Sequence, residues 1–196
     1  MKSRAVAFVT YGQLMFAFFL ALCVALHPGF VLKADEGGMS NYGIHAKTAA
    51  AYTLSLGFPM LCSFLAARLF LGEGDSPHQF RQLLRCYAWL LLLTLVSTYV
   101  YSLNTALRDL HVVIGAALAI FQVLASAWMY RFLQRGGWDA TLLMVEIVGF
   151  VLAVLTFVGA LHVLFLTQVL TSGAFAVLLV RSALKLDTRS TVTGIT

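Results

Sequence analysis

The chain has 196 residues, of which 61% are hydrophobic and only 11% charged, with 13 Lys and Arg against 8 Asp and Glu for a formal net charge of +5. That composition, with a mean hydropathy of +0.90, excludes an ordinary soluble domain and indicates an integral membrane protein. The apolar runs are continuous and lack the alternation of a membrane strand, which excludes a β-barrel and leaves an all-α bundle.

A helix needs about 20 apolar residues to cross a hydrocarbon core of about 30 Å. The first such stretch, roughly 5–26, follows a basic MKSR. It exceeds the about 7–15 apolar residues of a secretory signal, and its first punctuation is His27-Pro28, without a small-residue cleavage site. The LALC at 20–23 has Leu22 where a lipoprotein box wants a small residue, so this span is expected to stay in the protein. Pro28 disfavours helix at His27 and ends the span. The polar interruption HPGFVLKADEGGMSNYGIHAK, residues 27–47, comes next. Its glycines allow tight turns, while Met39, Tyr42 and Ile44 would otherwise face water; the loop is expected to fold back as a lid over the mouth of the bundle.

Further spans are expected at about 48–71, 85–103, 110–132, 140–160 and 162–180. GEGDSPHQ and RGGW read as loops between spans. The last two spans are divided only by GALH at 159–162, one very long helix being the alternative. Residues 1–185 thus make a single six-helix domain, and 186–196 a polar tail. Gly115 and Ala119, and Gly149 and Ala153, have the small-xxx-small spacing that lets helices approach closely.

Orientation follows from the basic residues, which short cytoplasmic loops retain. Lys2, Arg4, Arg68, Arg81, Arg85, Arg131, Arg135, Arg181, Lys185 and Arg189 fall on one side, and Lys33, Lys47 and Arg108 on the other. Both termini are therefore expected to be cytoplasmic and the 27–47 loop extracytoplasmic, in a multi-pass plasma membrane protein. The positive charge suits anionic lipid headgroups, and its dispersal among helix ends argues against a nucleic acid partner. Cys23, Cys62 and Cys86 are scattered and suggest neither disulfides nor a metal knuckle; Cys86, near the cytoplasmic face, is positioned for acylation.

This topology collects polar side chains at the outer face: His27, Asp35, Glu36, Ser40, Asn41, His45, Asp109, His111 and His162. Histidines and carboxylates are zinc ligands, and three of them with a water would polarise an ester or amide carbonyl. A metal would have to come from His27, His45, His111, His162 and Asp109. No two of these histidines share a helix face, so tertiary packing alone would have to assemble the site, and no cofactor is expected. A haem bundle fits poorly, since ligands at loop junctions would hold the haem at the rim. Within the membrane Glu146 stands out, with Gln13 and Gln122 at similar depth; a carboxyl there faces the bundle interior or a wet cavity. It reads first as protonated glue between helices and second as a path for protons or polar headgroups, with Arg68, Arg81 or Arg131 as counter-ions.

The segment Ser40-Asn41-Tyr42-Gly43, followed in the fourth span by His111, Gly115, Ala116 and Phe121, resembles six-span proteins of the Frag/DRAM type and bacterial relatives of undefined function. Those have a Ser-Asp-x-Gly-like element in the first outer loop. Asn41 stands where many members have Asp, so no role requiring a carboxylate carries over to that position, although Asp35 and Glu36 are near. The resemblance implies a protein associated with lipid organisation. The leading expectation is a non-enzymatic protein that binds or organises lipid, or an accessory subunit of a membrane complex with another membrane protein as partner. The alternatives are a metal-dependent hydrolase of lipid esters or amides, although span six offers only His162 where related hydrolases have a histidine pair, and a small transporter using Glu146.

Overall fold

The computed structural model describes residues 4–29, 31, 38–70, 75–101, 103–133 and 136–193, with side chains as far as Asp187. Its helices are α1 (Arg4–Leu26), α2 (Asn41–Ile44), α3 (Ala49–Leu69), α4 (Asp75–Val100), α5 (Thr105–Phe132), α6 (Gly137–Phe157) and α7 (Leu164–Thr193), with no strand among the described residues. All but the short α2 are long and apolar enough to cross a membrane, giving six candidate spans. Successive spans alternate in direction, so Arg4 and the carboxyl end of α7 lie at one end of the bundle, the terminal face, and α2 lies at the other, the lid face.

Local chemistry explains where the boundaries depart from a reading of hydropathy. The third span was expected from 85, but α4 begins at Asp75. Pro77 sits in its first turn, where a missing N–H costs nothing, so His78, expected in a loop, is helical. The fourth span starts at Thr105 and not 110, because the Asn104 side chain accepts the Leu107 N–H at 2.9 Å and caps the helix. Between α6 and α7 the chain turns through Gly159 at φ +79°. There the Ala160 N–H returns to the Leu155 carbonyl and the Gly159 N–H to Thr156, a pairing that closes a helix and needs a left-handed residue. The last two spans are therefore separate helices. At the carboxyl end, α7 runs on to Thr193, so most of the expected polar tail continues the last helix.

Around the bundle, α1 packs on α3, α3 on α4, α4 on α5, and α5 on α6, while α7 touches α1, α5 and α6 and closes the ring. Gly12 sets the closest α1–α3 approach: a Cβ there would stand 2.9 Å from Cys62 Cβ and 3.1 Å from the Pro59 backbone. Gly149 does the same for α6 against Thr167 and Thr171 of α7. The expected counterpart at Gly115 is corrected, because no neighbour lies within 4 Å of a Cβ built there; the small residues of α5 border open space. The interior is filled by Tyr87, Phe121 and Phe175 of α4, α5 and α7, with Tyr87 and Phe175 ring centres 4.9 Å apart. Toward the terminal face, Lys185 donates to the Phe132 carbonyl at the end of α5 (2.8 Å) and lies over that residue's ring.

Candidate functional site

The open space beside Gly115 is a cavity of about 580 Å³ that runs from the lid face into the middle of the bundle. Its walls are mostly apolar, from α5 and from Phe150, Ala153, Val154 and Phe157 of α6. On one side these same residues are exposed, at 63% for Val113, 48% for Ile120, 45% for Val154 and 69% for Phe157. In a membrane protein such a side faces lipid, so the cavity opens laterally between α5 and α6. The exposed, apolar rim follows from sequence: Gly115, Ala116 and Ala119 are too small to fill the gap between the two helices.

At the lid-face end stand Met39, Ser40, His111 and Gln168. Residues 38–44 of the expected lid fold against this end of the bundle through partners other than those expected, and Gly37 lies outside the described residues. Gly38 turns at φ +69°, and the following Met39 N–H donates to Gln168 Oε1 at 2.7 Å. Tyr42 is wholly buried, packs against Phe165 and through its carbonyl accepts the Thr48 hydroxyl at 2.7 Å. Gly43 is required where it stands, since a Cβ would come within 2.5 Å of Thr98 and 2.7 Å of Tyr52. Ile44, expected to pack inward, is exposed instead, because one turn of helix directs Tyr42 and Gly43 to the core and leaves Ile44 outside. Burial, with a smaller contribution from nearby Cys23, pushes the Tyr42 hydroxyl above its ordinary range, and burial does the same at Tyr101. Both rings are thus neutral at physiological pH, and any stability they lend the lid is lost only as pH rises beyond about 10.

His111 and Asp109 were expected to hold the lid directly. Asp109 is exposed, and His111 Nδ1 is paired with the Ser97 hydroxyl at 2.8 Å while its ring stacks on Tyr101. It is Tyr101 that donates to Asn41 Oδ1, at 3.2 Å, so His111 supports the loop through that ring. The Ser97–His111 pair has the spacing of a nucleophile and base, but Ser97 also donates to the Thr94 carbonyl of its own helix and is not in the cavity wall.

The expected histidine cluster forms only in part. His27 and His45 come together edge to face, with ring centres 4.4 Å apart; His111 is engaged as above, and His162 is exposed between α6 and α7. Among the described residues no group of three or more His, Cys, Asp or Glu is placed to hold a metal ion. Asp35 and Glu36 lie outside the described residues.

Of the intramembrane polar residues, Glu146 and Gln122 converge on the cavity. Glu146 is completely buried, and its Oε1 accepts the Ser126 hydroxyl at 3.2 Å. Gln122, one turn before Ser126 on α5, lines the cavity with Glu146 and Tyr87, while Gln13 is buried on α1 outside the cavity wall. Tyr87 and Ser126 were missed; Ser126 was legible, since it shares a helix face with Gln122 at i, i+4. None of the arginines proposed as counter-ions pairs with Glu146: Arg68 and Arg131 are exposed, and Arg81 donates to the Phe70 carbonyl at 3.4 Å. The ion pair that does form went unforeseen. Arg181 Nε lies 2.7 Å from Oδ1 of buried Asp139, joining α7 to the start of α6 near the terminal face.

Fold and cavity together define a multi-pass bundle of six candidate membrane spans around a chamber, with residues 38–44 at one end. Comparison with known proteins adds no relative: no protein-family model, no curated protein and no solved structure matches the chain.

Proposed function

We propose that this protein binds a membrane lipid in the chamber between α5 and α6, with the 38–44 lid closing one end, and that it works by holding or presenting that lipid and not by chemical conversion. The observation that carries this reading is the cavity itself. At about 580 Å³ it falls within the ~300–1,000 Å³ of sites that hold small molecules, its walls are apolar, and its opening faces the hydrocarbon. The resemblance of Ser40–Gly43 and His111–Phe121 to Frag/DRAM-type proteins agrees with a role in lipid organisation. No observation favours the hydrolase reading, since metal ligands do not converge among the described residues.

The test is photolabelling in lipid nanodiscs with a diazirine-bearing fatty probe, followed by peptide mapping. Labels are expected on α5 and α6 between residues 112 and 157. A Gly115→Phe/Ala119→Phe double variant, which fills the chamber from a position with free space, should lose at least about nine-tenths of that labelling while its melting temperature stays near the parent's. Uniform labelling around the bundle, unaffected by the double variant, would overturn the reading.

We also propose that the terminal face is cytoplasmic and the membrane the plasma membrane, because, of the described basic side chains, Arg4, Arg68, Arg81, Arg85, Arg131, Arg181 and Lys185 belong to helix ends at that face, against Lys47 and Arg108 at the other. With the native cysteines replaced by alanine, Ala46→Cys should react with an impermeant maleimide added to intact cells, and His78→Cys should react only after permeabilisation. The reverse pattern would invert the orientation.

A further inference from the structure

At the lid-face end of the chamber, Gln168 Oε1 accepts the Met39 amide, and His111 is engaged with Ser97 and Tyr101. Of the side chains that form the chamber wall, one has a buried polar atom without a hydrogen-bond partner among the described residues, and it is Glu146, through Oε2. A buried oxygen left unmatched is costly, and such a group in a cavity wall marks where a ligand's polar function belongs. Glu146 lies nine residues into α6 from Gly137, about 14 Å along the helix at about 1.5 Å per residue, close to the middle of a hydrocarbon core about 30 Å thick. From there to the lid-face end, His111 to Gln122 along α5 covers about 16 Å by the same rise, with Val, Ala and Leu between.

We propose that the lipid taken by this chamber is neutral and hydroxyl-headed, a long-chain alcohol in chemical class, seated with its hydroxyl on Glu146 and its hydrocarbon running toward the lid and out between α5 and α6. This rests on the lipid-binding reading above and names the ligand's head. Three constraints select it. A charged ammonium, carboxylate or phosphate head carried to the midplane pays a desolvation cost that a neutral head avoids. A hydroxyl both donates and accepts, so it satisfies Oε2 whether the carboxyl is ionised or protonated, whereas a carbonyl head serves only the acid and an ammonium only the carboxylate. Gln122 and Tyr87 line the cavity with Glu146, and the Ser126 hydroxyl donates to Glu146 Oε1, so a second hydrogen bond is within the chemistry of the site, while the stretch of α5 and α6 toward the lid face is mostly apolar.

The experiment is competition against a diazirine-bearing hexadecanol probe, with the full chain in nanodiscs, using hexadecanol, heptadecane, hexadecylamine and palmitate as competitors. Hexadecanol should compete about tenfold better than heptadecane, the factor that one hydrogen bond to an otherwise unmatched buried group supplies, and better than either charged amphiphile. Glu146→Leu should remove that tenfold advantage while leaving heptadecane competition unchanged, and Glu146→Gln, whose amide also donates and accepts, should keep it within about threefold. Melting temperatures of both variants identify any loss due to unfolding; retained heptadecane competition shows the chamber intact. If hexadecanol and heptadecane compete equally, or the preference survives Glu146→Leu, the head assignment fails although the chamber still binds lipid. If hexadecylamine competes best and depends on Glu146, the site takes a cationic head and the neutral-head proposal is wrong. If no probe labels the chamber, both this proposal and the lipid-binding reading fall.

Discussion

Arg181→Gln is expected to lower the thermal stability of the bundle by about 2 kcal/mol, which for a chain of this size corresponds to about 4–8 °C in melting temperature. Asp139 is 3% exposed and accepts two hydrogen bonds from the guanidinium, at 2.7 and 3.4 Å. Removing Arg181 leaves that carboxylate buried with its charge uncompensated, which for a fully enclosed pair costs about 3–5 kcal/mol. The arginine side is 47% exposed, so water relieves part of the penalty, and the lower figure follows. The diagnostic comparison is the double variant Asp139→Asn/Arg181→Gln. It has lost the same ion pair but no longer buries a lone charge, so it should melt above Arg181→Gln alone. Equal melting temperatures for the single and double variants, measured in the same detergent, would show that the pair does not hold α6 and α7 together.

What the sequence made legible was decided by how local the physics is. Six spans follow from runs of apolar residues, and each capping device that corrects their ends is also local: Pro77 in a first turn, Asn104 three residues before the amide it accepts, Gly159 closing α6. The turn at 38–43 was legible for the same reason, since Gly38 and Gly43 announce turns and close approaches before any partner is known. Its partners were not. Gln168 is 129 residues from Met39, and nothing near position 168 says which loop it will meet. The available signal was the one that singled out Gln13, Gln122 and Glu146: an amide inside an apolar span. Choosing His111 as the direct contact overlooked Tyr101, which stands between His111 and Asn41. Small-residue spacing misled in α5 for a related reason. The motif records only that a helix face is thin; in α6 the Gly149 position is filled by Thr171, whereas in α5 the Gly115 position is filled by nothing and becomes the chamber.

Gln168→Leu should release the lid, with amide hydrogen exchange of residues 39–43 accelerating about 10- to 100-fold. The Met39 N–H would lose its 2.7 Å acceptor while Met39 itself stays packed at 9% exposure. An unmatched buried amide costs about 1–3 kcal/mol, and each 1.4 kcal/mol is a factor of about ten in the opening equilibrium. The amides of Asn41, Tyr42 and Gly43 report that opening, because they bond to the carbonyls of Gly38, Met39 and Ser40 within the same turn and lose protection when it unfolds. Gln168→Glu keeps an acceptor at the right place and should remain near the parent rate. His111→Ala acts only through Tyr101 and Asn41, whose hydrogen bond at 3.2 Å is an ordinary one worth about 0.5–1.5 kcal/mol, so it should accelerate exchange by only about two- to tenfold. That ordering, Leu at 168 above Ala at 111, distinguishes a lid latched by α7 from one latched by α5. If His111→Ala has the larger effect, the latch lies with Tyr101; if residues 39–43 exchange unprotected in the parent protein, the segment is an open arm and the chamber has no lid.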